Sequence, residues 1–119
     1  MSIRKNSEIP PIPGNEGTTI KQHFHPHNTL NGIRCSLAEF TLEVGKKSLP
    51  HKLKSSEVYF ILEGKGVLHV NDEFFEMTKW DSAYVPPMSK QFIENSGNAD
   101  LRFLCIVDPA WKAEDEMVL

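Results

Sequence analysis

The feature that most constrains the fold is a succession of short apolar runs, each ended by turn-forming residues. Strands this short, separated by turns about every 8–12 residues, are typical of an all-β sandwich or barrel. Before residue 110 no stretch keeps helical periodicity, and only residues 110–117 are compatible with a helix, of two turns at most. The predicted strands are Thr18–Phe24, Ile33–Glu43, Glu57–Glu63, Val67–Val70, Phe74–Met77, Ala83–Pro86, Gln91–Asn95 and Leu101–Val107.

The length of the chain indicates how many domains it forms, and its charge indicates which kinds of partner it can bind. A chain of 119 residues is long enough for one domain that buries roughly two-thirds of its unfolded surface. The formal net charge of −3 gives no electrostatic reason to expect nucleic acid or an anionic membrane as a partner. No apolar run approaches the roughly 20 residues of a membrane span, and no signal-peptide core is present. These features predict a cytoplasmic protein.

Proline and glycine separate the two ends of the chain from its centre. Residues 1–17 contain three prolines and two glycines, and proline removes amide donors and fixes φ, so an extended N-terminal arm is predicted. The barrel domain is then expected to span residues 18–109, and residues 110–119 to form a short C-terminal tail.

Two spaced motifs occupy the centre of the chain. The first is G-x5-H-K-L-x3-E-x6-G, which begins at Gly45 and ends at Gly64. The second runs from Asp81 to Asn95 and reads D-S-A-Y-V-P-P-M-S-K-Q-F-I-E-N. In order and spacing they resemble the cupin superfamily motifs, G-x5-H-x-H-x3–4-E-x6-G and G-D-x4-P-x-G-x2-H-x3-N. The resemblance implies a double-stranded β-helix, the jelly-roll barrel of small single-domain cupins, with a pocket at one end.

The resemblance also implies where a metal would lie. In metal-binding cupins, two histidines and the glutamate of the first motif hold one divalent ion together with the histidine of the second. The matching positions here are His51, Leu53, Glu57 and Gln91, so two follow the pattern and two depart from it. Trp80 and Met88 stand at positions where cupins usually have glycine. The turns at these two residues are therefore predicted to be built differently from those of the family.

The predicted metal ligands are His51, Glu57 and Gln91. Residues 51 and 53 of a strand point to the same side, so Leu53 makes one position of the ligand set apolar. One imidazole, one carboxylate and one amide oxygen bind a divalent ion more weakly than three imidazoles and a carboxylate. A bound Mn, Fe, Ni or Zn ion is therefore expected to be weakly held or absent. The alternative is a metal-free pocket in which the three side chains hydrogen-bond one another.

His51, Glu57 and Tyr59 are the candidate catalytic residues. A carboxylate beside an imidazole fixes its tautomer and raises its basicity, which makes a reasonable acid–base pair. Tyr59 shares the strand parity of Glu57 and is predicted to line the same cavity. The leading hypothesis is a small-molecule-binding cupin for a sugar or another oxygen-rich metabolite. The alternatives are a metal-dependent isomerase, epimerase or ring-opening enzyme, and a non-catalytic ligand-binding module, so enzymatic activity is left open.

Two further predictions concern the surface. His23, His25 and His27 alternate along the chain, but Pro26 argues against a regular central strand, so exposed turn histidines are expected. The apolar residues Val67, Phe74, Phe75 and Trp111 exceed what one small barrel requires. Because edge strands of open β-structures need to be covered, we predict a homodimer to which residues 1–24 lend a strand.

Overall fold

The computed structural model describes residues 3–14, 18–29 and 32–119. These residues form β-strands joined by short loops and three 3-10 turns, which confirms the all-β prediction. No helix in these ranges is long and apolar enough to cross a membrane. The strands are β1 (Ile12–Pro13), β2 (Thr19–Phe24), β3 (Ser36–Leu42), β4 (His51–Leu53), β5 (Ser56–Glu63), β6 (Lys65–Val70), β7 (Glu73–Thr78), β8 (Ser82–Val85), β9 (Gln91–Asn95), β10 (Leu101–Asp108) and β11 (Glu116–Val118).

The strands are arranged in two antiparallel sheets that enclose the core. The six-stranded sheet has the order β1-β2-β3-β10-β5-β8, and the five-stranded sheet has the order β11-β4-β9-β6-β7. Several neighbours in the sheets are distant in sequence, as in the pairing of β10 with both β3 and β5. This is the predicted jelly-roll barrel.

Alternation of buried and less buried residues determines which face of each strand meets the core. In β10, Leu101, Phe103, Cys105 and Val107 are buried while the residues between them are more exposed. The Phe103 ring stacks on Phe40, with centroids 5.3 Å apart, and on the other side approaches Tyr59 at 5.6 Å. A period of two is what a sheet with one face on the core requires.

Both ends of the chain pair with the barrel. In the N-terminal arm, β1 pairs with β2 of its own chain and places Ile12 opposite Ile20. At the other end, the helix considered for residues 110–117 does not form. A 3-10 turn at Ala113–Asp115 is followed by β11, which pairs with β4. Pairing with an edge strand supplies backbone hydrogen bonds that a two-turn helix could not keep in water.

Trp80 and Met88 adopt the glycine-like backbone conformation that their turns require. Their φ angles are +77° and +64°, so the prediction that these turns are built differently is wrong. Backbone hydrogen bonds hold both residues in place: the Trp80 N–H donates to the Ile61 carbonyl at 2.9 Å, and the Met88 N–H donates to the Leu53 carbonyl at 2.7 Å. These backbone hydrogen bonds therefore hold both residues in a conformation that is unfavourable for any residue with a side chain.

We expect Met88→Gly to stabilise the protein by roughly 0.5–1 kcal/mol, because relief of the positive-φ penalty exceeds the entropic cost of glycine. Urea unfolding of the variant and the parent measures the change. The matched control is Met117→Gly in strand β11, where methionine is similarly exposed, at 39% against 47% for Met88. Met117 is not among the positive-φ residues, so this change should destabilise. Destabilisation by Met88→Gly would contradict the strain argument.

Candidate functional site

Two adjoining cavities lie inside one end of the barrel. The inner chamber, of about 10 Å³, is lined by residues that include His51, Glu57 and Tyr59. The vestibule, of about 130 Å³, lies between β1, β2, β3, β10 and the C-terminal segment, and its walls include Leu53 and Trp111. Three residues line both cavities: Phe40, Glu57 and Cys105. The inner chamber is about large enough for one water-sized group.

His51 has a defined tautomer. It lies on β4 and is 2% exposed, and its Nδ1 is 3.0 Å from the carbonyl oxygen of Leu49. A carbonyl only accepts hydrogen bonds, so Nδ1 carries the proton and donates it. The other ring nitrogen, Nε2, then has the lone pair and is the atom that can act as a base or bind a metal.

A buried hydrogen bond crosses the barrel between Tyr59 and Gln91. The Tyr59 hydroxyl, on β5 of the six-stranded sheet, donates to Oε1 of Gln91, on β9 of the five-stranded sheet, at 2.6 Å. In the sheet register, Gln91 also pairs directly with His51. The amide oxygen that was predicted to bind a metal therefore already accepts a hydrogen bond from Tyr59.

Tyr59→Phe should lower the free energy of unfolding by about 1–2 kcal/mol, because it leaves the buried Gln91 oxygen without this donor. Replacing both partners with apolar groups costs less than leaving one unpaired, so Tyr59→Phe/Gln91→Leu should be less destabilised than the sum of the two single variants. Denaturant unfolding of all four proteins measures the coupling. Strictly additive changes would show that the bond contributes nothing.

The structure brings some of the predicted site residues together and separates one. His51, Glu57 and Tyr59 share the inner chamber, and Gln91 is joined to it through Tyr59. Leu53, at the end of β4, lines the vestibule instead. Glu57 is buried and lies between the two spaces, since it contributes to both walls.

The donor set does not fit a tightly held divalent ion. In the described part of the chain, no group of three or more histidine, cysteine, aspartate or glutamate side chains is arranged to hold a metal. Of the predicted positions, His51 and Glu57 carry strong donor groups, while Leu53 is apolar and the Gln91 oxygen accepts a hydrogen bond from Tyr59. Tight sites for first-row metals normally use three or four strong donors.

The remaining candidate histidines lie away from the chamber. His27 is exposed as predicted, but His23 and His25 are partly buried. The Nε2 of His25 is 2.8 Å from the Trp111 carbonyl, which ties β2 to the C-terminal segment. His23 approaches Glu39 at 3.9 Å, and Glu39 accepts hydrogen bonds from Arg102. The bond to Glu39 raises the pKa of Arg102 although burial opposes the rise.

Sequence reasoning missed two walls of the vestibule. Ile12 lies in the segment predicted to be an extended arm, and Glu116 lies in the predicted C-terminal tail, yet both line the cavity. Neither segment has the alternating pattern that signals a strand, because each contributes only an edge strand of two or three residues. Trp111, which is partly buried, covers the same space.

Comparison with known proteins agrees with the fold. Residues 38–107 match the cupin domain family. An uncharacterized protein of Methanocaldococcus jannaschii is 41% identical over 113 residues, covering 94% of this chain and 90% of that protein. An oxalate-binding protein of Thermotoga maritima is 28% identical over 111 residues, with coverage of 88% and 92%.

Among solved structures, a predicted oxalate decarboxylase from Thermotoga maritima superposes with a TM-score of 0.80 at 25% identity, covering 91% of this chain and 99% of that one. The two-sheet barrel, both spaced motifs and the match over residues 38–107 lead to one assignment. The chain belongs to the cupin family.

Proposed function

We propose that this cupin binds a small organic molecule and holds one oxygen-bearing group of it in the inner chamber. The observation that supports the proposal is the convergence of His51, Glu57 and Tyr59 on one chamber, although each is almost fully buried. Buried polar side chains that meet in a cavity beside a larger apolar space are the usual composition of a ligand site. Small oxygen-bearing metabolites, of which sugars are one class, form the library to screen.

Each polar group has a distinct role in the proposed complex. The Nε2 of His51 accepts a hydrogen bond from the ligand, because Nδ1 is committed to Leu49. Glu57 provides a second acceptor at the boundary with the vestibule. Tyr59 and Gln91 link the two sheets beside the chamber through their mutual hydrogen bond. No metal is required for these contacts.

Proton transfer is the second candidate function, and the His51 tautomer favours it. A general base needs a ring nitrogen with a free lone pair and a second group that fixes the tautomer. The hydrogen bond to Leu49 supplies that constraint. An isomerase would use His51 Nε2 to remove a proton from the carbon next to a bound carbonyl group and return it to the neighbouring carbon. An epimerase would return a proton to the same carbon on its opposite face.

Ligand-observed NMR against a library of small metabolites tests the proposal. For any compound that binds, His51→Asn and Glu57→Gln should each weaken affinity by about tenfold or more, the equivalent of one lost charge-assisted hydrogen bond. The matched control is His69→Asn, since His69 pairs with Glu94 and stacks on Phe92 away from both cavities. Unchanged affinity in both chamber variants would refute the proposed site.

We also propose that the chain forms a homodimer. Phe74 and Phe75 are exposed on the edge strand β7, and Tyr84 and Ile106 are exposed on the outer face of the six-stranded sheet. Exposed apolar surface on open sheets favours association. Light scattering at tens of micromolar, where a stable interface of standard size is saturated, should give twice the chain mass. A monomer under these conditions would contradict the proposal.

A further inference from the structure

The vestibule has the size of one small ring. Its volume is about 130 Å³, close to the roughly 150 Å³ of an engineered apolar cavity that binds benzene. Because the vestibule adjoins the polar chamber, a molecule anchored in the chamber can extend into it. A single aromatic ring or a branched aliphatic group would fill it.

The walls of the vestibule are mostly apolar. Ile12, Ile20, Leu53, Val107 and Trp111 contribute to them. A ligand part placed here loses its hydration and gains few hydrogen bonds, which favours hydrocarbon over a hydroxylated ring.

Among the described residues of these walls, Ser36 and Gln22 are polar and uncharged, and each already makes one hydrogen bond within the protein. Ser36 Oγ accepts the backbone N–H of Trp111 at 3.0 Å, and Gln22 Nε2 donates to the Phe24 carbonyl at 2.8 Å. A sugar would have to leave several hydroxyl groups without partners in this space, and each buried unpaired polar group is costly.

The charged residues around the two cavities are of one sign. Glu57 and Glu116 line the vestibule, and Glu57 also lines the inner chamber. Among the described residues that line either cavity there is no lysine or arginine. An anion placed there would approach carboxylates without a cationic side chain to offset its lost hydration, which disfavours carboxylate ligands.

From these observations we infer that the ligand is a neutral or positively charged compound with an apolar ring or branched group, which occupies the vestibule. Its single hydroxyl or amino group points past Glu57 into the inner chamber, where about 10 Å³ is open. Small dicarboxylates are excluded, in contrast to the oxalate named for the Thermotoga maritima relative. This inference rests on the proposed function, whose polar chamber anchors the head group.

Four probe compounds separate the effect of the ring from the effect of charge on binding. Benzyl alcohol, benzylamine and benzoate share one ring and differ in the charge of the substituent, and oxalate is an anion without a ring. Calorimetry on the purified full chain should show saturable binding of the alcohol and the amine. Benzoate should bind at least about tenfold more weakly, and oxalate should not saturate. The inference is overturned if neither neutral nor cationic probe binds, or if either anion binds as tightly as benzyl alcohol.

Substitutions then test the location of the ring. Ala38→Leu adds volume to the vestibule wall and should abolish benzyl alcohol binding, whereas Ala99→Leu, on an exposed loop, should leave it unchanged. Glu116→Lys reverses one wall charge on the edge strand β11 and should tighten benzoate binding by about tenfold. Because Glu116→Lys is expected to strengthen benzoate binding, it tests the inference even if Ala38→Leu folds poorly. Benzoate binding unchanged by Glu116→Lys would contradict the charge argument.

The chamber variants distinguish the two proposals. If Ala38→Leu weakens benzyl alcohol binding and His51→Asn does not, the vestibule inference stands and the chamber assignment fails. If His51→Asn weakens binding and Ala38→Leu does not, the chamber assignment stands and the vestibule inference is overturned.

Discussion

Phe103→Ala is expected to lower the free energy of unfolding by about 3–5 kcal/mol, the usual cost of truncating a buried phenylalanine. The ring is 2% exposed and stacks between Phe40 and Tyr59. It also forms part of the wall of the inner chamber, so the space left by its removal would join an existing cavity. Collapse of the surrounding side chains could then recover little of the lost packing.

Chemical denaturation of the variant and the parent measures this change. The control is Val44→Ala, which truncates an apolar side chain that is 50% exposed in the turn after β3 and lies outside the surface proposed for the dimer. It should change stability by less than about 0.5 kcal/mol, as is usual for surface substitutions. Equal losses in both variants would mean that Phe103 is not the centre of the core.

Leu53→His/Gln91→His is expected to bind Ni²⁺ or Zn²⁺ at least about tenfold more tightly than the parent, a gain of ~1.4 kcal/mol. The double variant supplies three imidazoles and one carboxylate, the set that first-row metals prefer to one with an amide oxygen. Position 91 pairs directly with His51 across neighbouring strands. Position 53 is two residues from His51 on β4 and, like Glu57, lines the vestibule, so the new imidazoles should converge on the original pair.

Calorimetric titration with each metal measures the gain. Each new imidazole needs a hydrogen bond to its second nitrogen for full affinity, and the Tyr59 hydroxyl is close enough to provide one at position 91. The control Lys52→His/Lys90→His adds two histidines next to the same positions in sequence, at residues that do not line these cavities. If the control binds as tightly as the test variant, the four positions do not form one site.

Local pattern was sufficient to predict the longer strands of the barrel, although not the short strands β1, β4 and β11. The segments 91–95 and 101–107 alternate between core and outer residues, and β9 and β10 lie where the alternation placed them. A period of two is a local property, because successive side chains of a strand point to opposite faces of the sheet. It can therefore be recognised without knowing the partner strand. The resemblance carried by the two motifs added the jelly-roll barrel and the pocket at one end.

The tertiary structure alone decided which residues meet at the site. Glu116 comes within reach of the vestibule because β11 pairs with β4, and Trp80 and Met88 accept positive φ because backbone ladders hold them. The Tyr59–Gln91 bond joins strands of different sheets. These outcomes depend on contacts between residues far apart in sequence, whose energies local propensity does not contain. The sequence by itself therefore determined the barrel and its polar residues, while long-range pairing determined the shape, the walls and the charge of the space they enclose.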